Sequence, residues 1–181
     1  MKITIIAGSP RKESVTRRIA LHLQTRLRAD AHEVTIADLG GSNIGDFGQV
    51  WQSESDVPVH FAGSYAAIMQ SEAVIIVSPE YNGTYTGALK NMLDHLPKNA
   101  LMRKAFGIVT GSPGGLGGMR AAVQLQTLGI GASGIVCPSM LIVPTMSSKF
   151  DADGTLIDAA FQRAVDGFVG DYVWLATQLV K

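Results

Sequence analysis

Short apolar, β-branched runs alternate along this chain with longer stretches in which apolar residues recur every three to four positions. KITIIA (2–7), HEVTIAD (32–38), AVIIVS (73–78), AFGIVTG (105–111) and SMLIVP (139–144) are the strand candidates. Each is short and almost continuously apolar, as a strand covered on both faces should be. The periodic stretches predict helices over 14–28, 61–71, 87–95, 118–129 and 157–179. In the last of these, Phe161, Val165, Phe168, Tyr172 and Leu175 follow helical spacing.

Strand followed by helix, five times over, predicts an α/β fold: a doubly wound parallel sheet with helices on both faces. With right-handed crossovers, five strands favour the flavodoxin-like order 2-1-3-4-5 over the six-stranded dinucleotide fold. One domain over 1–181 is the expectation for 181 residues. A sheet of this kind binds its ligand beyond the carboxyl ends of the strands, beside strands one and three. The loops after Ala7, Ser78 and Thr110 therefore become the candidates. Residues 39–59 have no period and form the one long irregular connection, which predicts a functional or mobile segment.

The first of these loops, GSPRKESVTRRIA (8–20), brings hydroxyls and cations to a helix start. Free N–H groups there attract anions. Ser9, Ser14 and Thr16 add hydrogen-bond donors, and Arg11 and Arg17 add charge, a set suited to a terminal phosphate. Neither the G-x-G-x-x-G turn nor the Gly-Lys-Ser/Thr of a P-loop follows strand one. The competing reading is an ordinary strand–helix turn with Ser14 as N-cap. Lys12 and Arg18 read as solvated charges. GIGASG (129–134) matches G-x-G-x-x-G but precedes a strand, so it reads as a helix stop.

The second loop, SPEYNGTYTGALKNMLDHLP (78–97), contains Asn82-Gly83, which permits a turn with positive φ. Tyr81 and Tyr85 are placed to border a flat heterocycle. The third, GSPGGLGGMRAA (111–122), is stripped of side chains, so that backbone can approach a planar ring. Arg120 reads as an anion contact or as the partner of a carboxylate across a subunit contact.

Composition narrows the classes. Fifteen Lys and Arg balance fifteen Asp and Glu, which argues against bulk nucleic-acid or polybasic membrane binding. Cys137 is the sole cysteine, so no intrachain disulfide forms and a reducing compartment is expected. It reads as a small buried hydrophobe. No apolar stretch reaches the ~20 residues of a membrane helix, and the expectation is a soluble cytoplasmic protein. His22, His32, His60 and His95 lie on different segments without metal spacing. DADG (151–154) reads as a turn before the last helix.

Taken together, GSPRKESVTRRIA, P-E-Y-N-x-x-x-x-G-A-L-K-N and the glycine loop with downstream LIVP resemble the NAD(P)H-dependent FMN reductases. That family includes flavodoxin-like quinone, chromate and azo-dye reductases. The similarity runs from Met1 to about Pro144, with an interruption at 39–59. It implies non-covalent FMN, with Ser9, Arg11, Ser14, Thr16 and Arg17 on its phosphate. Pro79, Glu80, Tyr81, Asn82 and Gly83 would line the isoalloxazine, with Ser112, Gly114 and Gly115 touching it from the third loop. It further implies NAD(P)H as co-substrate, a small-molecule electron acceptor, no catalytic side chain, and a homodimer or homotetramer with the flavin near a subunit interface. Two departures stand out: Thr16 replaces a frequent Asn, and Gly40-Gly41 replaces the usual Pro-aromatic sequence after Asp38-Leu39. Two other functions fit the same fold: a flavodoxin-type electron carrier, and a reductase that supplies FMN to a monooxygenase.

Overall fold

The structure is a computed structural model, and it describes residues 1–180. Five parallel strands form one sheet in the order β2-β1-β3-β4-β5. They are β1 (Lys2–Ala7), β2 (Glu33–Asp38), β3 (Ala73–Pro79), β4 (Ala105–Gly111) and β5 (Ile135–Val143). The helices are α1 (Val15–Ala29), α2 (Ala62–Gln70), α3 (Gly87–His95), α4 (Met119–Gly131) and α5 (Gln162–Leu179). The predicted α/β class and strand order are those observed.

Alternation along each strand builds two cores. Ile3, Ile5, Ile75, Val77 and Val109 face α1 and α5, where they meet Ile19, Leu23, Phe168 and Tyr172. Ile6, Val74, Ile76 and Ile108 face the other way, onto Ile68, Leu89, Met92 and Leu125. All seven residues of β3 and all seven of β4 are buried, which explains their unbroken apolar runs. Tyr172 packs so closely on β4 that a Cβ at Gly107 would lie 2.9 Å from its ring.

The largest departures from the expected element boundaries are at the starts of β5 and α5. β5 begins at Ile135 instead of Ser139 and pairs with β4 through a register shift between Phe106 and Ile108. Its first half contains Pro138 and lies at the sheet edge, where apolar continuity is not required. α5 begins at Gln162 instead of residue 157; a 3₁₀ turn (Ala159–Phe161) precedes it, with Asp158 accepting from the Ala160 N–H at 3.0 Å. GIGASG ends α4, with Ser133 at φ 62°. DADG is a turn in which Asp151 Oδ1 accepts from the backbone of Asp153 and Thr155, and Gly154 fits against α1.

The irregular segment after β2 is pinned. The Trp51 N–H donates to His95 O at 2.8 Å, and Asn91 Nδ2 to Gly45 O at 2.7 Å. The buried Trp51 ring packs against Phe61, Tyr65 and His95. At the segment's start, Gly41 N–H donates to Pro10 O at 3.0 Å. A Cβ on Gly41 would strike Lys12 at 2.7 Å, so the Gly40-Gly41 pair lets this segment lie directly on the first loop.

Candidate active site

The carboxyl ends of β1, β3 and β4 deliver the three loops to one place. The first loop is tied to its neighbours by backbone: Gly8 N–H donates to Val77 O at 2.8 Å, and Gly8 O accepts from the Thr86 hydroxyl. The same Thr86 oxygen caps α3, accepting from Leu89 N–H at 3.0 Å. Helix α3 and the first loop are thus fixed to each other through one buried side chain.

Ser14 is the N-cap of α1, with extended backbone and Oγ accepting from Arg17 N–H at 3.1 Å. Its Oγ also lies 3.1 Å from Thr16 Oγ1. The first turn of α1 contains no acidic residue, so its positive end is uncompensated within the helix. Ser9 is buried, and its Oγ accepts from Arg11 N–H at 3.3 Å.

The two loop arginines have different surroundings. Arg17 Nε donates to Asp38 Oδ2 at 2.7 Å, while Asp38 Oδ1 holds Gly40 N–H at 2.8 Å. Arg17 therefore braces the first loop to the end of β2 and does not line the cleft. Among the described residues, Arg11 has no carboxylate at ion-pair distance; its guanidinium carbon lies 5.4 Å from the centre of the Tyr81 ring.

Tyr81 sits on a tight hairpin. Its backbone exchanges two hydrogen bonds with Thr84, of 2.8 and 3.1 Å. Asn82 and Gly83, at φ 51° and 86°, make the left-handed turn that the Asn-Gly pair predicts. Beside it, the Glu80 side chain is only 8% exposed and is held by Arg120, whose Nε donates to Oε1 at 2.8 Å. Glu80 Oε2 is buried with no donor among the described residues. The carboxylate facing Arg120 thus belongs to the same chain, not to a second subunit.

The cleft between these loops encloses about 490 Å³, within the usual size of small-molecule sites. Ser9, Arg11, Ser14, Thr16, Pro79, Glu80, Tyr81 and Asn82 line it. Gly83 shapes the hairpin behind it. Ser112, Gly114 and Gly115 do not line the cleft directly; Gly111 and Pro113, on either side of Ser112, do. A Cβ at Gly115 would meet nothing within 4 Å, so that backbone stands open. Gly117 and Gly118 are structural: positive φ at both, and a Cβ would lie 2.7 Å from Pro144 N and 2.9 Å from Thr110 Cβ respectively.

Glu13 and Met146 also line the cleft and escaped the sequence reading. Met146 arrives from the turn after β5, and its Sδ would lie 2.9 Å from a Cβ on Gly111. Only the glycine hinted at it. Tyr85 points elsewhere, into a groove of about 570 Å³ between α3 and α4. That larger groove lies away from the β1 and β3 ends, and its Lys90 is paired with Asp94.

Comparison with known proteins shows the family and the fold. The profile of the NADPH-dependent FMN reductase family matches residues 1–147. An FMN-dependent NADPH-azoreductase of Staphylococcus haemolyticus is 29% identical over 178 residues, covering 96% of this chain and 94% of that protein. Its counterpart in Staphylococcus aureus strain USA300 is 28% identical over 177 residues, with the same coverage. Among solved structures, the flavoenzyme NAD(P)H:(acceptor) oxidoreductase FerB from Paracoccus denitrificans superposes with a TM-score of 0.79 at 24% identity, covering 97% of each chain. An archaeal flavodoxin superposes at 0.59 with 13% identity, covering 97% of this chain and 99% of its own. The chain belongs to the NADPH-dependent FMN reductase family, and is by that membership an oxidoreductase that works with FMN and a reduced nicotinamide co-substrate.

Proposed function

We propose that FMN lies in the cleft at the ends of β1, β3 and β4, and that electrons pass there from NAD(P)H to a small acceptor: a quinone, an azo compound, a metal oxyanion or free flavin. The observation that carries this reading is the convergence at one end of the cleft of three hydroxyls, the open end of α1 and an arginine with no carboxylate at ion-pair distance among the described residues. These groups suit the oxygens of a phosphomonoester. At the other end, Gly111 and Pro113 line the cleft with little side chain, and the backbone of Gly115 stands open in the same loop, which suits close approach of a flat heterocycle.

Bound FMN would supply the hydride-accepting and hydride-donating chemistry. The chain's own residues hold and orient. Ser9, Ser14, Thr16 and the N–H groups opening α1 donate to the phosphate, and Arg11 supplies the counter-charge. Arg17, held by Asp38, keeps the loop in register. Pro79 and the Asn82-Gly83 turn fix the second loop, so that its backbone approaches the ring in one geometry.

The test is the visible spectrum of the purified protein, before and after anaerobic addition of NADPH or NADH. A flavin band that bleaches supports the reading; a colourless protein that takes up no added FMN refutes it. Turnover with a quinone separates a reductase from an electron carrier, and a yellow colour surviving dialysis separates it from a supplier of free FMN.

The same reading includes self-association. Met119, Val123 and Ile130 are exposed along α4, with Leu116 exposed in the loop just before it, beside the α3–α4 groove. A stripe of this kind is the expected face of a homodimer or homotetramer. Light scattering on wild type and Val123→Glu tests it: a monomeric wild type would refute it. Among the described residues, no helix is long and apolar enough to cross a membrane.

A further inference from the structure

Two of the loops that wall the cleft are joined across it by a side-chain contact. Arg11, after β1, sets its guanidinium over the ring of Tyr81, after β3, at 5.4 Å from the centroid. A cation so placed is attracted by the negative face of the ring. The Tyr81 side is the rigid one, since its backbone is locked to Thr84 by two hydrogen bonds. The Arg11 side is a long, exposed side chain that would otherwise sample many rotamers.

Arg17 illustrates the alternative way to fix an arginine. Asp38 holds it firmly, but a carboxylate occupies donors and cancels charge. A neutral ring does neither. It orders the guanidinium through its flat face and leaves the in-plane N–H groups and the full charge available.

We propose that Tyr81 is a positioning residue for Arg11: the ring holds the guanidinium at the phosphate end of the cleft in advance of binding, so that the two loops grip an anion as one unit. This rests on the FMN-binding reading above. Part of the cost of ordering Arg11 is then met in the free protein, which favours a phosphorylated ligand specifically.

The experiment compares binding of FMN and of riboflavin, which lacks the phosphate, to the full chain stripped of flavin, by quenching of flavin fluorescence. The proteins are wild type, Tyr81→Leu, Tyr81→Phe, Arg11→Ala and the Arg11→Ala/Tyr81→Leu pair, each checked by its thermal melt. The expected result is that Tyr81→Leu weakens FMN by about two- to five-fold, the range of an exposed cation–π contact. Riboflavin affinity is unchanged, Tyr81→Phe binds FMN as wild type does, and Tyr81→Leu has no further effect once Arg11 is absent. An equal loss for riboflavin overturns the proposal, because Tyr81 then meets the ring of the ligand itself. So does a Tyr81→Leu loss that persists undiminished in the Arg11→Ala background, or no loss at all. A wild-type protein that binds neither flavin is a different outcome: it removes the flavin site, and this inference with it.

Discussion

Ser14 does two jobs that a single substitution can separate. As N-cap it accepts from Arg17 N–H at 3.1 Å, and as a cleft residue it faces the proposed phosphate. Aspartate caps a helix as well as serine does, so Ser14→Asp should leave the flavin-free protein within ~0.5 kcal/mol of wild-type stability. Ser14→Ala should cost about 1 kcal/mol, a fall of roughly 2–4 °C in Tm for a chain of this size. Binding should rank the two variants in the opposite order. Alanine removes one hydrogen bond to a charged group, costing ~1.5–3 kcal/mol or about one to two decades of FMN affinity. Aspartate removes it and sets a carboxylate against the phosphate. Two like charges ~4 Å apart near a protein surface repel by about 4 kcal/mol for each unit pair. Half-exposure of the site and salt reduce this, and a further loss of at least ~100-fold remains. Thermal melts of the flavin-free proteins and FMN titrations at two ionic strengths measure both quantities. A Ser14→Asp protein that melts normally and binds FMN within about three-fold of wild type would refute an anion at this loop.

Three further predictions concern neighbouring features. Arg120→Ala leaves the nearly buried Glu80 carboxylate without its counter-charge; because Arg120 is two-thirds exposed, solvent limits the cost to about 1 kcal/mol in urea unfolding, and adding Glu80→Gln should recover most of it. No recovery would mean that the pair does not set the cost. The Tyr172 hydroxyl is buried without a partner among the described residues, so Tyr172→Phe should stabilise by about 1 kcal/mol in the same assay, and a clear destabilisation would refute the unpaired state. Burial lowers the pKa of His22, whose Nδ1–H donates to Gly154 O at 3.0 Å; Asp166 and Arg26 face it with opposing effects. The folded state thus favours neutral His22, and its contribution is complete above the ordinary pKa near 6.5 and falls away as pH drops below it. His22→Gln should flatten the decline in unfolding free energy between pH 7.5 and 5.5; an unchanged slope would exclude His22 as a source.

What could be read from the chain was what adjacent residues decide among themselves. Ser14 caps, Asn82-Gly83 turns left-handed, and the β-branched runs become covered strands, because each depends on local sterics or on one periodicity. Strand order followed too, since alternation and handed crossovers leave few topologies. The edge half of β5 broke its own pattern, because an edge is covered on fewer sides and Pro138 interrupts it. The two arginines of the first loop were indistinguishable as letters. Only the parallel pairing of Ala7 with Asp38 gives Arg17 a carboxylate and leaves Arg11 over Tyr81. Met146 reaches the cleft because β5 runs beside β4, and Trp51 pins a segment with no period of its own by finding His95. Such contacts join residues tens of positions apart, and their energies depend on distances that exist only once the sheet has formed.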